Sequence, residues 1–188
     1  MTDAELMQAL ERGDSEAMRH FVDRFGRRIF KYLYGWARNR EDALDLTQEV
    51  LIRIHQKAGL YNERGPLAPW VFRIAHNIFH DHLRKKNYKV HSASVELNEQ
   101  WASPAAGFRP THPERAARRN EAMSKIRRAV EQLPPRQRQV VQLRLLSGLK
   151  LDEIAQALDI SLGAVKSTLH SATRRLRTLL SDLEGEVT

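Results

Sequence analysis

The stretch Leu151-Asp-Glu-Ile-Ala-Gln-Ala-Leu-Asp-Ile-Ser-Leu-Gly-Ala-Val-Lys-Ser-Thr-Leu-His170 decides the fold. It reads as two short helices joined by a three-residue turn, with Ile154, Ala155, Leu158, Ile160, Val165 and Leu169 spaced to fold both helices onto one core. Ser161 stands where the second helix needs an N-cap, since its hydroxyl can accept an unpaired backbone N–H. Beyond it the outward positions Gly163, Lys166, Ser167, His170 and Arg174 are small, polar or basic, as a helix laid in a DNA major groove requires. The pattern is a helix-turn-helix, and it makes DNA the first partner to consider.

Composition agrees with that reading. The chain has 188 residues, with 31 Lys and Arg against 23 Asp and Glu, a net charge of +8 and a pI near 10.1. A basic surplus of this size favours phosphate contact through counterion release, although a basic surface alone does not demand it. The length allows two small domains with modest cores. There is no cysteine, which excludes a disulfide framework, a thiol nucleophile and a Cys-ligated metal, and is compatible with a reducing compartment. The opening Met-Thr-Asp-Ala-Glu-Leu is acidic and polar, unlike a signal peptide. No run approaches the ~18 apolar residues of a membrane span. These features predict a cytoplasmic protein with no membrane insertion.

Helical periodicity runs through most of the chain and strand signals are almost absent, so the expected fold is all-α. Thr2 and Glu5 form a capping-box pattern, and Gly13 can end that first helix in a left-handed turn. Asp14 or Ser15 can cap a longer second helix, whose apolar stripe is Ala17, Phe21, Phe25, Ile29, Leu33 and Trp36. A third helix is expected over about 41–57, closed by Gly59, and a fourth from Pro69 to about Lys86. From Asn87 to about Thr111 the pattern dissolves into scattered Ser, Ala, Asn, Gly and Pro, the composition of a flexible linker. Trp101 and Phe108 are unusual there and are suited to docking on a partner or on the protein itself. A capping box at Thr111-His-Pro-Glu restarts the helical signal, which runs to Leu133-Pro-Pro. A helix over about 135–147 ending at Gly148 precedes the helix-turn-helix, whose second helix continues to about Leu183. The expected domains are 1–87 and 112–188, joined by a linker at 88–111.

Two further surfaces carry information. On the third helix Ala43, Leu46, Val50, Ile54 and Ala58 face inward, while Asp42, Asp45, Gln48, Glu49 and Arg53 line the other side. Aligned carboxylates repel phosphate, so this face is either merely solvated, helped by acidic residues near a helix N-terminus, or a docking face for a basic protein partner. The loop from Leu60 to Pro69 and the fourth helix form the other surface. Val71, Ile74, Ala75 and Ile78 point inward there, and Arg73, Asn77, His80, Asp81 and Arg84 share the opposite face, with Lys85 and Lys86 beyond. Tyr61 and Trp70 flank the loop. Cations interleaved with aromatics suit unpaired nucleic acid, where a base stacked on a ring gains roughly 1–3 kcal/mol. The competing reading makes both rings core residues with polar tips, and for Trp70 it is the stronger one.

His76 and His80 lie four apart, with His82 nearby, and His-Asn-Ile-Phe-His resembles a metalloprotease helix superficially. Asn77 sits where that chemistry needs a glutamate base, and no third ligand is evident. No Gly-rich phosphate loop and no nucleophile elbow is present. The sequence therefore predicts no catalytic residue, no metal and no cofactor.

Taken together, Asp45-Leu-Thr-Gln-Glu-Val-Leu-Ile-Arg53, Trp70-Val-Phe-Arg-Ile-Ala-His-Asn77 and Asp81-His-Leu-Arg84 resemble the first conserved domain of bacterial sigma factors, specifically the two-domain extracytoplasmic-function group. Leu133-Pro-Pro-Arg-Gln-Arg-Gln-Val-Val and the helix-turn-helix ending at His170 are similar to that group's promoter-binding C-terminal domain. The resemblance implies a non-enzymatic subunit that binds core RNA polymerase, through the beta-prime coiled-coil and the beta flap, and directs initiation at promoter DNA. It implies Asp45, Gln48, Glu49 and Arg53 as polymerase contacts. Tyr61, Asn62, Arg64, Trp70, Arg73, Asn77 and Arg84 fall on the loop and helix that meet the −10 element. Ser161, Lys166, Ser167, His170 and Arg174 fall on the reader of the −35 element, with Val165, Leu169, Ala172 and Leu176 inward. Many members of the family are held inactive by an anti-sigma factor, so such a partner is expected too.

The chain departs from the family pattern at three places. Lys150 replaces the Ser or Thr that usually caps the first helix of the motif, a loss of about 1 kcal/mol. Asp159 holds a turn position often taken by Gly, which Asp tolerates. Thr168 and Ser171 replace residues that are frequently Arg, which should weaken phosphate binding there. The alternative function is a stand-alone helix-turn-helix regulator, for which the acidic stripe has no use.

Overall fold

The structure is a computed structural model that describes residues 1–62, 65–90 and 113–185. Those residues form helices and no strand, as the periodicity predicts. Helix α1 (Asp3–Glu11) carries the expected capping box: the Thr2 hydroxyl accepts the Glu5 N–H at 3.2 Å and the Glu5 carboxylate accepts the Thr2 N–H at 2.7 Å. Gly13 follows with φ +78, the left-handed turn that ends the helix.

Asp14 caps the next segment by accepting the N–H groups of Glu16 and Ala17. The single helix expected here is broken into α2 (Ser15–Phe21), a π-helical turn (Val22–Gly26) and α3 (Arg27–Ala37). The reason lies in the spacing of the core stripe. From Ala17 to Trp36 is 19 residues, whereas five turns of α-helix take about 18. A straight helix would rotate Trp36 about 100° out of the core. The π turn absorbs the extra residue, and Ala17, Phe21, Phe25, Ile29, Leu33 and Trp36 are all buried. Tyr32, which the stripe does not include, is also fully buried, edge-on to Phe72.

Helix α4 (Arg40–Gln56) starts at Asn39, whose side chain accepts the Glu41 N–H at 2.8 Å. It buries Ala43, Leu46, Val50 and Ile54 against α3 and leads into a 3₁₀ turn, Ala58–Leu60. Helix α5 (Leu67–Val90) starts two residues before the expected Pro69 and runs past the expected Lys86 into the predicted linker. Its early start has a donor-acceptor cause: the Leu67 N–H is capped by the Asp3 carboxylate of α1 at 3.0 Å, a partner 64 residues away. The remainder of the predicted linker, with Trp101 and Phe108, lies outside the described residues, as does Thr111.

The C-terminal unit comprises α6 (Pro113–Glu131), α7 (Pro135–Leu145), α8 (Leu151–Leu158) and α9 (Leu162–Gly185). Helix α7 ends two residues short of the predicted Ser147, and Gly148 at φ +67 turns the chain. Leu133, Val141 and Ala172 form a small core between α6, α7 and α9. Val140, Leu143, Leu149, Ile154, Ala157 and Val165, by contrast, belong to the same buried cluster as the N-terminal unit. Helix α5 packs along α8, and α3 touches α7. A modest core for each of two domains was expected from the sequence; the larger core runs through both units, beside the small one between α6, α7 and α9. Periodicity assigns residues to a buried face without saying which neighbour buries it.

Candidate nucleic-acid interface and docking face

The polar side of α4 is open to solvent. Asp45, Gln48, Glu49 and Arg53 are all exposed, opposite the buried stripe. Acidic residues in the first turn of a helix need no other explanation than the dipole, which covers Glu41 and Asp42. Asp45 and Glu49 stand beyond that turn, where the dipole has faded, so the merely solvated reading lacks its physical support. Two apolar residues share the open side: Leu44 is 39% exposed and Ile52 57% exposed. They flank Gln48 at four-residue spacing and lay apolar surface beside the charged row of Asp45, Glu49 and Arg53, a mixture that suits a protein contact. The signal was two leucine-like residues at positions where a solvated face would carry polar ones.

The loop before α5 is propped by its aromatics. Tyr61 and Trp70 are half-buried, packed on the core with ring centroids 5.9 Å apart in edge contact. The Tyr61 hydroxyl donates to the Gly65 carbonyl at 2.6 Å. Both rings therefore build the loop, in keeping with the core reading for Trp70. Asn62 is exposed beside them, and Arg64 lies outside the described residues. On α5 Arg73, Asn77 and Arg84 are exposed on one side. Arg84 pairs with Asp81, while Arg73 donates to the Gln156 carbonyl of α8.

His76 and His80 meet edge-on, with ring centroids 4.2 Å apart. The nitrogens of His76 are engaged elsewhere. Nδ1 lies 3.1 Å from the Tyr32 hydroxyl, and the Gln139 side-chain amide of α7 lies 2.9 Å from Nδ1 and 2.7 Å from Nε2. Burial raises the Tyr32 hydroxyl well above its ordinary value, so it keeps the proton it can donate. Burial, and then the neighbouring His80, holds His76 down at about 4, so it is neutral at pH 7 and can accept. Among the described residues no group of three or more His, Asp or Glu could hold a metal ion.

In the helix-turn-helix, Asp159 takes the left-handed conformation (φ 54, ψ 49) that closes α8, as the turn requires. The Ser161 hydroxyl accepts the Ala164 N–H at 3.1 Å, so its role is the N-cap of α9. Lys150 gives α8 no side-chain cap, but the Glu153 carboxylate accepts the Lys150 N–H at 2.7 Å and supplies half of a capping box. Val165 and Ala172 are fully buried, with Leu169 and Leu176 packed beneath α9. Lys166, Ser167, His170 and Arg174 are exposed together on its outer side. Ser167 also donates to the Ala164 carbonyl. Arg177 is exposed one step further along the same row, a cation the sequence reading passed over although its spacing from Arg174 marks it.

Comparison with known proteins matches two parts of the chain to known families. Residues 21–88 match the family described as Sigma-70 region 2, and residues 123–176 match Sigma-70, region 4. The chain is similar to the RNA polymerase sigma factor CarQ of Myxococcus xanthus, with 30% identity covering 96% of this chain and 99% of CarQ. It is 29% identical to the ECF RNA polymerase sigma factor SigW of Bacillus subtilis, covering 94% of this chain and 96% of SigW. The ECF RNA polymerase sigma factor BldN of Streptomyces coelicolor is 26% identical, and the match spans 66% of its length. Among solved structures, CnrH in complex with the cytosolic domain of CnrY superimposes with a TM-score of 0.70 over 96% of this chain and 97% of that chain, at 22% identity. The sigma factor RpoE in complex with the anti-sigma factor NepR from Bartonella quintana gives a TM-score of 0.66 over 87% of this chain and 98% of that chain, at 21% identity.

Proposed function

The chain belongs to the extracytoplasmic-function group of the sigma-70 family, and from that premise we propose how its surfaces divide the work of promoter recognition. Asp45, Gln48, Glu49 and Arg53, with Leu44 and Ile52 between them, dock α4 on the coiled-coil of the beta-prime subunit of core RNA polymerase. The loop 61–66 captures a base of the −10 element, and Arg73, Asn77 and Arg84 follow the adjoining strand. The outer row of α9, Lys166, Ser167, His170, Arg174 and Arg177, reads the −35 element in the major groove, while the C-terminal unit meets the beta flap. In this division residues 1–87 and 112–188 act as the two recognition domains, joined by 88–111. The protein does no chemistry itself, and nucleotide addition belongs to the polymerase in the cytoplasm. No helix among the described residues is long and apolar enough to cross a membrane.

The observation that carries this reading is the open face of α4. Carboxylates beyond the first turn, on a chain of net charge +8, repel DNA, and together with the exposed apolar side chains they suit a protein surface. A stand-alone regulator accounts for α8 and α9 but gives that face no task. An anti-sigma partner follows from the family and from the complex formed by one solved relative. The test is run-off transcription with purified core polymerase on DNA from upstream of the protein's own gene. A discrete transcript that requires this chain is expected, and failure to co-elute with core polymerase overturns the reading.

A further inference from the structure

Helix α5 begins without a cap at the usual place. Its first N–H groups need acceptors, yet the residue just before it is Pro66, which carries no polar side chain. A Ser, Thr, Asp or Asn there would cap the helix locally. The acceptor comes instead from α1: Asp3 Oδ2 takes the Leu67 N–H at 3.0 Å, and Leu67 is fully buried. Asp3 is gripped from its other side, since Arg24 of the π turn pairs with Oδ1 at 2.6 Å. The carboxylate thus commits one oxygen to each partner. Its negative charge also favours the positive end of α5.

The opposite end of α1 meets the other side of the same loop. The 3₁₀ turn Ala58–Leu60 leads into Tyr61 and packs on α1. A Cβ at Gly59 would overlap the Glu11 carboxylate, with Glu11 Cδ at 2.8 Å, so the turn lies directly on the end of that helix. Leu6, Met7 and Leu10 of α1 share one buried cluster with Ala58 and Leu67. Helix α1 therefore meets the chain on both sides of 61–66, near Glu11 where the loop is entered and at Asp3 where it is left. Between them the Tyr61 hydroxyl is tied to the Gly65 carbonyl. The match to Sigma-70 region 2 starts at residue 21, so Asp3 and Glu11 lie outside the matched stretch.

We propose that Asp3 is a positioning residue for −10 recognition: by anchoring the Leu67 N–H to α1 under the grip of Arg24, it fixes where loop 61–66 ends and how sharply the loop discriminates among bases. This rests on the reading of 61–66 as the loop that captures a −10 base. Asp3 acts through the loop and not on DNA, since it is half-buried and both carboxylate oxygens are engaged within the chain. A loop fastened at both ends holds one shape and rejects a base that does not fit it. A loop with one end released can re-pack around the wrong base, so selectivity falls.

The test uses the full chain bound to core polymerase, at saturating concentration, on DNA from upstream of the protein's own gene. Run-off transcript is compared between the parent DNA and single-base substitutions in its −10 and −35 elements, and each ratio measures selectivity. Asp3→Ala should lower the −10 ratio about tenfold, the low end for a hydrogen bond to a charged group, with the −35 ratio unchanged. Asp3→Asn keeps an acceptor and should retain most of the selectivity. Arg24→Gln loosens the carboxylate and should lower the −10 ratio about threefold; it carries the test if Asp3→Ala does not fold. The Leu67 amide proton of the free chain gives a direct sign, since its resonance should move upfield in Asp3→Ala and far less in Asp3→Asn. Full −10 selectivity in Asp3→Ala, or an equal loss at both elements as general destabilisation would give, overturns the role of Asp3. A parent protein indifferent to every −10 substitution would instead remove the reading of the loop, and the role of Asp3 with it.

Discussion

Helices α4 and α5 pack side by side and carry the same kind of sequence: an apolar stripe on one side, charges on the other. Their polar sides meet different fates. On α4 the row Asp45, Gln48, Glu49 and Arg53 is left to solvent, while the polar side of α5 is partly occupied by α8, through Arg73 and Gln156, and by α7, through His76 and Gln139. Amphipathicity tells which side of a helix avoids water within its own unit. Whether the other side is free depends on groups far along the chain, here 63 and 83 residues away.

The largest effect should come from striking the open side. Asp45→Arg combined with Glu49→Arg should abolish co-elution with core polymerase, weakening it about 100-fold or more as like charges come to oppose a basic partner. The melting temperature should hardly change, because both residues are exposed. Retained binding would show that α4 is no more a contact than any solvated face, and the contrast with α5 would lose its meaning.

Next comes the covered side. Arg28→Ala removes the bond to the Ser147 carbonyl and the packing on Phe25 and Phe72. It should weaken the contact between the units by about 1–2 kcal/mol, read as faster amide exchange in α8 with exchange in α4 unchanged. Equal acceleration in both helices would mean that the units open as one.

A pH titration sharpens the same contrast. His76, facing His80 on its own helix, Tyr32 of α3 and Gln139 of α7, is held at about 4 from an ordinary 6.5, so protonation favours the state that exposes it. Its contribution to the closed arrangement is complete above about 6.5 and is lost progressively as pH falls toward 4. Exchange in α7 and α8 should therefore quicken, after correction for intrinsic rates, between pH 7 and 5, and His76→Gln should flatten the profile. The α4 face should bind core polymerase with no matching step.

The smallest effects lie in the helix-turn-helix. Ser161→Ala should cost about 1 kcal/mol through the lost cap on α9. Lys150→Asp should return about 0.5–1 kcal/mol to α8, less than a full cap because Glu153 already serves half of it. Thermal unfolding measures both. His170→Ala should leave stability and core binding alone and reduce transcription only from promoters that depend on the −35 element.

The local features were legible in the chain: the Thr2–Glu5 capping box, Asp14, Ser161, the left-handed Asp159 and the buried stripe from Ala17 to Trp36. Each rests on residues within a turn or two of one another. What was not legible is the meeting of the units. His76 and His80 carried a metal-like spacing, and His76 proves to be a packing and hydrogen-bonding residue for α7. Gly35, in the last turn of α3, is the trace of that meeting in the sequence, since a Cβ there would meet Gln142 and Leu146. The Asp3 cap that starts α5 at Leu67 was hidden for the same reason, since its acceptor lies in another helix.

The π turn at Val22–Gly26 bears on how this chain can change length. It stores one residue more than the helix needs, so a deletion there converts it to ordinary α-helix and leaves both flanks in place. Removing the exposed Asp23 resets the stripe to spacings of four, three, four, four and three, which a straight helix accommodates. A one-residue deletion within α3 beyond it would instead swing the side chains that follow by about 100° relative to those before. Drift in sequence length among related chains should therefore collect at this turn, a slack link in an otherwise rigid register.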